Sequence, residues 1–176
     1  WNRLEEISKL GTGSVEIKSG YGLTVEGELK MLRVIKKLKE KSSLCIKATF
    51  LGAHTYPAVF RENHEGYIDQ LIHEMLPVIA AEKLADYIDV FCETGFFSKE
   101  ETIRICQAGM GYGLKPKIHA NQLNLSGGTE AGVELGALSV DHLETMDETT
   151  IQLLAGSSTI GTLLPTAAYF LRMPFQ

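Results

Sequence analysis

Short apolar runs alternate along the chain with stretches in which apolar residues recur every three or four positions. Six runs read as β-strands: residues 14–19, 47–53, 87–93, 116–119, 138–142 and 159–164. Each is apolar along most of its length, as expected of strands buried on both faces. Between them the period lengthens. Thr24 is placed as an N-cap ahead of Leu29, Leu32, Ile35 and Leu38, which form one apolar stripe. Ile68, Leu71, Ile72, Met75 and Ile79 follow amphipathic spacing, with Pro77 expected to kink or shorten that helix. Ser98 and Glu101 have the spacing of a capping box, and Asp147 is an N-cap for the helix bearing Ile151 and Leu154. Gly127-Gly128 lacks the Lys and the spacing of a phosphate-binding loop and reads as a helix start.

Strand-helix alternation demands parallel strands joined by helical crossovers, so the fold class is α/β. Periodicity alone leaves open a doubly wound sheet and a closed (β/α)8 barrel. Polar residues discriminate between them. Lys18-Ser-Gly-Tyr-Gly22, Gly52-Ala-His54, Cys92-Glu-Thr-Gly95, His119-Ala-Asn-Gln122 and Asp141-His142 each follow or end a strand. Functional groups at the ends of five strands favour a TIM barrel, where those ends surround one site, over an open sheet with its single switch point.

At 176 residues, with 44% hydrophobic and 22% charged positions, the chain can bury a core and is most simply one domain. A net charge of −5 argues against nucleic acid. The densest basic stretch, residues 30–41, has helical spacing and reads as a solvated face. No run of apolar residues is long enough for a membrane span and no signal peptide is evident, so the expectation is a soluble cytoplasmic protein that does not bind membranes. Cys45, Cys92 and Cys106 are odd in number and far apart, which suggests buried free thiols rather than disulfides or a thiolate zinc site. The sequence begins at Trp1 and ends at Pro174-Phe175-Gln176 after a strand-like run without an evident terminal helix, which suggests a piece of a longer protein.

Candidate chemistry centres on His119 and His142, 23 residues apart at two successive strand ends. A neutral imidazole there can bind zinc or iron through one nitrogen while the other donates to a supporting group. The alternative is a pair of core histidines with satisfied hydrogen bonds. His54 ends a third strand, and Tyr21 sits between two glycines that would let its phenol project towards a ligand or serve a simple turn. His64 and His73 lie on or beside a charged helix and receive no role. Cys92 stands beside Glu93 but has no base assigned to it.

Taken together, Lys18-Ser-Gly-Tyr-Gly-Leu23, Phe50-Leu-Gly-Ala-His54, Asp89-Val-Phe-Cys-Glu93, Lys117-Ile-His-Ala-Asn-Gln122, Ser139-Val-Asp-His-Leu-Glu144 and Leu163-Leu-Pro165 resemble the imidazolonepropionase family of the amidohydrolase superfamily. The resemblance implies a metal-dependent TIM barrel that hydrolyses the ring of 4-imidazolone-5-propanoate to N-formimidoyl-L-glutamate in histidine degradation. It implies that His119 is a ligand of one divalent zinc or iron ion on the fifth barrel strand. His142 would handle protons or the oxyanion on the sixth, while Tyr21 and His54 contact a small-molecule substrate. A homodimer is compatible with it.

Three departures accompany the resemblance. Gln122 stands where family members commonly carry Glu, and an amide cannot accept a proton at neutral pH. It would orient substrate rather than act as base. The family's His-x-His pair of the first strand and Asp of the eighth have no counterpart. Both absences are explained if the six strands are the second to the seventh, within a single partial barrel domain over residues 1–176 that lacks the small domain built from terminal segments. Such a chain alone is expected to be inactive, with one metal ligand where catalytic zinc sites normally use three. The alternatives are another cyclic amidase or a deaminase of the superfamily, a noncatalytic α/β binding module of flavodoxin-like topology, or an interaction fragment that pairs its open edges.

Overall fold

The computed structural model describes residues 1–173; the terminal Pro174 to Gln176 lie outside the described residues. All six expected strands form. They are β1 (Ser14–Lys18), β2 (Cys45–Ala53), β3 (Tyr87–Cys92), β4 (Lys115–Ala120), β5 (Ser139–His142) and β6 (Ile160–Leu163). Every pairing is parallel and the spatial order is the chain order, β1-β2-β3-β4-β5-β6. A doubly wound sheet would reverse its order at a switch point. Here each crossover steps the same way, so with the usual right-handed connection the crossover helices fall on one side and the sheet curls into an incomplete barrel.

The helices are α1 (Asn2–Lys9), α2 (Val25–Lys41), α3 (His64–Gln70), α4 (Leu76–Glu82), α5 (Lys99–Gly111), α6 (Gly128–Leu135), α7 (Glu148–Ala155) and α8 (Pro165–Phe170). Their starts follow the chemistry anticipated. The Thr24 hydroxyl accepts from the Gly27 amide, Ser98 and Glu101 form both halves of a capping box, and the Asp147 carboxylate accepts from the Thr150 amide. Gly127 is the N-cap of α6, with φ 83°, which a glycine adopts without a Cβ penalty. Most charged side chains of α2 face outward, and Arg33 and Lys39 reach Glu82 and Asp86.

The helix spanning 68–79 is interrupted near Pro77, as expected: it runs as α3, a π-helical turn at Leu71–Met75, and α4, because Pro77 near the start of α4 cannot donate the amide that would continue the α ladder. Three expectations are corrected. A terminal helix does exist: α8 begins at Pro165, whose fixed φ suits a first helical position. Cys45 is exposed at the start of β2, while Cys92 and Cys106 are buried. Finally, the strands are not uniformly buried. β1 is half-exposed and all four residues of β6 are exposed, since no further strand flanks either edge among the described residues.

The two faces of the sheet also differ. The helix-facing side is apolar: Ile88, Val90, Ile118 and Val140 are fully buried, with Ile88 against Gly109 of α5 and Val140 against Gly132 of α6. On the opposite, concave side the alternate positions are Glu16 and Lys18 of β1, Thr49 of β2, Asp89 of β3, Lys117 and His119 of β4, and Asp141 of β5. In a parallel sheet neighbours in register share a face, and Asp89 is in register with Lys117, as His119 is with Asp141. The barrel interior is therefore lined by charges rather than by aliphatic layers.

Candidate active site

The carboxyl ends of β1, β2, β4 and β5 bring four of the five sequence-assigned residues together. The His54 ring lies 5.2 Å from the Tyr21 ring and 6.0 Å from that of His119, and His119 lies 5.1 Å from His142. Tyr21 is 76% exposed, at the solvent end of this row, whereas His142 is buried. Gln122 sits half-buried in the bend that follows β4, and its side chain forms no hydrogen bond among the described residues. His64 stacks on Tyr56 at 3.6 Å, away from this row.

Each imidazole has its own support. His119 Nδ1 lies 3.0 Å from Asp89 Oδ2, a close electrostatic contact in which the ring N–H is out of line for a proper hydrogen bond. The other Asp89 oxygen accepts from the His119 backbone amide at 3.2 Å. His142 has φ 91°, a region that non-glycine residues rarely adopt. Its Nδ1 is 3.5 Å from Glu144 Oε2, and neither Glu144 oxygen has a hydrogen-bond partner among the described residues. His54 uses Nδ1 against the Gly20 carbonyl at 3.1 Å. A carbonyl can only accept, so that nitrogen carries a proton and Nε2 is left for the site.

Beneath the row runs a chain of charges absent from the sequence reading. Lys18 Nζ meets Asp89 at 2.6 Å and Asp141 at 3.0 Å, while Lys117 Nζ meets Glu16 at 2.7 Å and Asp141 at 3.3 Å. Burial works against the Lys18 ammonium, but Asp89, Asp141 and Glu16 outweigh it and hold the amine above its usual range. Burial likewise opposes ionised Asp89, yet His119 and Lys18 keep its carboxyl well below the usual carboxylate range. Asp141 is lowered in the same way, burial being overcome chiefly by Lys18. His142 moves down instead. Burial is the main cause and the neighbouring His119 adds to it, with Glu144 offsetting part of the fall.

Two buried glutamates hold the loops. Glu28 accepts from the amides of Gly20, Gly22 and Leu23, on either side of Tyr21. Glu93 accepts from the amides of Thr94, Leu123 and Asn124 and from the Asn124 side chain, around the bend that carries Gln122. One signal could have revealed part of this machinery: Glu16, Lys18, Asp89, Lys117 and Asp141 are charges within strands read as buried, a placement that requires partners.

Among the described residues no group of three or more His, Cys, Asp or Glu side chains is arranged to hold a metal ion. His119 by itself has the support typical of a ligand, with a carboxylate behind one ring nitrogen and the other nitrogen free.

No family model matches the chain. It is 62% identical over 173 residues to the imidazolonepropionase of Flavobacterium johnsoniae and 59% identical over 173 residues to that of Flavobacterium psychrophilum, in each case covering 98% of this chain. The chain spans 42% of the length of those relatives. Among solved structures it is similar to an adenine deaminase of Arthrobacter aurescens, with TM-score 0.70, 21% identity, and coverage of 97% of this chain and 52% of that one. It is also similar to an uncharacterised metal-dependent hydrolase of Pyrococcus horikoshii, with TM-score 0.61, 14% identity, and coverage of 97% and 38%. At such identities these two likenesses establish the barrel fold alone. The sequence matches go further: over nearly its whole length the chain is similar to a segment of the imidazolonepropionases.

Proposed function

We propose that the polypeptide of which this segment is part hydrolyses the imidazolone ring of 4-imidazolone-5-propanoate to N-formimidoyl-L-glutamate. The observation that carries this reading is the single row of Tyr21, His54, His119 and His142 at four strand ends, in a chain 62% identical to an imidazolonepropionase. We read the six strands as the second to seventh of eight. The remaining metal ligands and the closing strands then come from outside residues 1–173.

The donor set supports one ligand position, His119, and not a complete site. Lewis-acid activation of water is the chemistry that a divalent zinc or iron ion supplies to hydrolases of this kind. The residues of this chain do the rest. Tyr21 and the Nε2 of His54 engage the anionic substrate at the mouth of the barrel. Gln122 donates its amide to the ring or accepts from a ring N–H, which orients the substrate without moving a proton. His142 is held in its neutral form by burial, so it can take a proton during attack or donate a hydrogen bond to the developing oxyanion. Asp89 fixes the His119 ring, and Lys18 compensates that carboxylate.

The test is loss of imidazolone propionate absorbance with a full-length, metal-retaining protein. Hydrolysis that a chelator abolishes and zinc or iron restores supports the reading. A folded, metal-loaded protein without turnover would reject it and leave a cyclic amide or amidine of another kind as the substrate.

A further inference from the structure

Glu28 is fully buried, four residues into α2, yet it does not serve the helix. Thr24 already caps the helix through the Gly27 amide. The Glu28 carboxylate reaches outward, where Oε1 accepts from Gly22 at 2.7 Å, Leu23 at 3.1 Å and Gly20 at 3.2 Å, and Oε2 accepts from Gly20 at 2.9 Å. Three amides and the positive end of α2 thus neutralise a buried carboxylate that is not in ion-pair contact with any cation among the described residues. The amides belong to the two residues flanking Tyr21 and to the next one along.

The turn around this carboxylate leaves no room for alternatives. Gly20 has φ 106° and Leu23 has φ 51°, both left-handed conformations stabilised where their amides point at Glu28. A Cβ on Gly22 would lie 2.4 Å from the Gly27 carbonyl carbon. The turn is therefore pressed against the start of α2 with the carboxylate inside it. Its far side makes the second connection, because the Gly20 carbonyl receives the Nδ1 proton of His54 at 3.1 Å. One carboxylate sets the backbone on both sides of Tyr21 and, through Gly20, the ring orientation and proton position of His54.

We propose that Glu28 is the positioning residue for substrate recognition: it holds the Gly20–Leu23 turn so that the Tyr21 phenol and the His54 Nε2 face the substrate's anionic group together. This rests on the reading of Tyr21 and His54 as substrate contacts. Glu28 itself touches no substrate. Its loss should weaken binding and leave the ligand histidine on β4 and the proton-handling histidine on β5 in place, so the effect falls on KM rather than kcat.

The experiment uses the full-length holoenzyme and Glu28→Gln, which keeps the shape but turns a donor group towards amides that need an acceptor. The expected result is a rise in KM of roughly tenfold or more with kcat within about threefold of the parent. Adding Tyr21→Phe to Glu28→Gln should then cost less than it does in the parent, since the phenol is already displaced. A folded variant with unchanged KM, or one that loses kcat alone, overturns the proposal. Should Glu28→Gln fail to fold, ¹⁵N NMR of the parent decides: His54 must carry its proton on Nδ1, and the amides of Gly20, Gly22 and Leu23 must be among the slowly exchanging ones. An Nε2-protonated His54 or rapid exchange of those amides overturns it. The NMR readout does not depend on turnover, so an inactive parent would reject the proposed reaction while still deciding the geometry.

Discussion

His119 and His142 face each other at 5.1 Å although the strand register does not pair them. In register His119 opposes Asp141, and His142 opposes Ala120, whose side chain points towards the helices. The left-handed backbone at His142 and Leu143 breaks the alternation and swings the imidazole over the barrel mouth. Strain of this kind persists where the surroundings enforce it, and functional sites are where it collects.

The two histidines should therefore separate by assay. In a full-length protein, His142→Ala is expected to lower kcat by about 10²-fold or more, the usual contribution of a proton-transfer group, while metal content stays near that of the parent. His119→Ala should instead remove the metal, and with it the activity. Metal analysis alongside single-turnover rates checks both. Equal loss of metal in the two variants would contradict the division of labour.

Lys18→Met tests the charges inside the barrel. The substitution leaves Asp89 and Asp141 short of their shared cation, and breaking a buried pair in this way costs about 3–5 kcal/mol. Combining it with Asp89→Asn should cost less than the sum of the two single changes, by roughly 1 kcal/mol or more, because the uncompensated charge is then gone. Urea unfolding of the four proteins gives the coupling. Additive losses would mean that Lys18 and Asp89 do not act as a pair.

How much of this was legible follows from what each residue depends on. Thr24, Ser98, Asp147 and Gly127 act within a few positions of themselves, so their roles as helix starts could be read from the sequence and are seen in the structure. The six strands and their parallel order were legible for the same reason. His54, His119 and His142 were visible as strand ends, but their mutual distances and the backbone reversal at His142 depend on the curl of the sheet. The interior charges were hidden because an ion pair such as Lys117 with Glu16 joins residues about a hundred positions apart, and no local period reports it. Cys45 and β6 were read as buried because burial was inferred from composition, whereas exposure depends on what flanks an edge. The role of Glu28 depends on a turn folded back against the start of α2, which no helical period reports.

Asp86 links stability to pH. Its carboxylate accepts from the Ala48 amide at 2.9 Å and meets Lys39 at 2.9 Å, and although partial burial opposes ionisation, these contacts hold it below its usual value. A carboxyl with a depressed folded value contributes stability that is present above its unfolded value, roughly 3.9, and is lost as pH falls through the folded value. Asp86→Asn should lower the melting temperature near neutrality and shrink the gap to the parent as pH drops below about 4. Melting curves across the acid range provide the check. A gap that stays constant with pH would show that the carboxylate's charge is not what matters.

Glu93 is the counterpart of Glu28 beneath the bend that follows β4. Its two oxygens take the amides of Thr94, Leu123 and Asn124 and the Asn124 side chain, so the bend carrying Gln122 is tied to the end of β3 rather than to its own strand. Removing the carboxylate leaves several donors without a partner in a buried position, at about 1–3 kcal/mol for each that water cannot reach. Glu93→Ala is therefore expected to destabilise the protein by at least about 2 kcal/mol and to make the Leu123 and Asn124 amides exchange faster than the rest of the barrel. Glu93→Gln keeps one acceptor oxygen and should recover part of both effects. Hydrogen exchange resolved by residue is the decisive measurement, because uniform acceleration would mean general destabilisation, whereas acceleration confined to residues 121–124 would show that this single carboxylate holds the Gln122 bend in place.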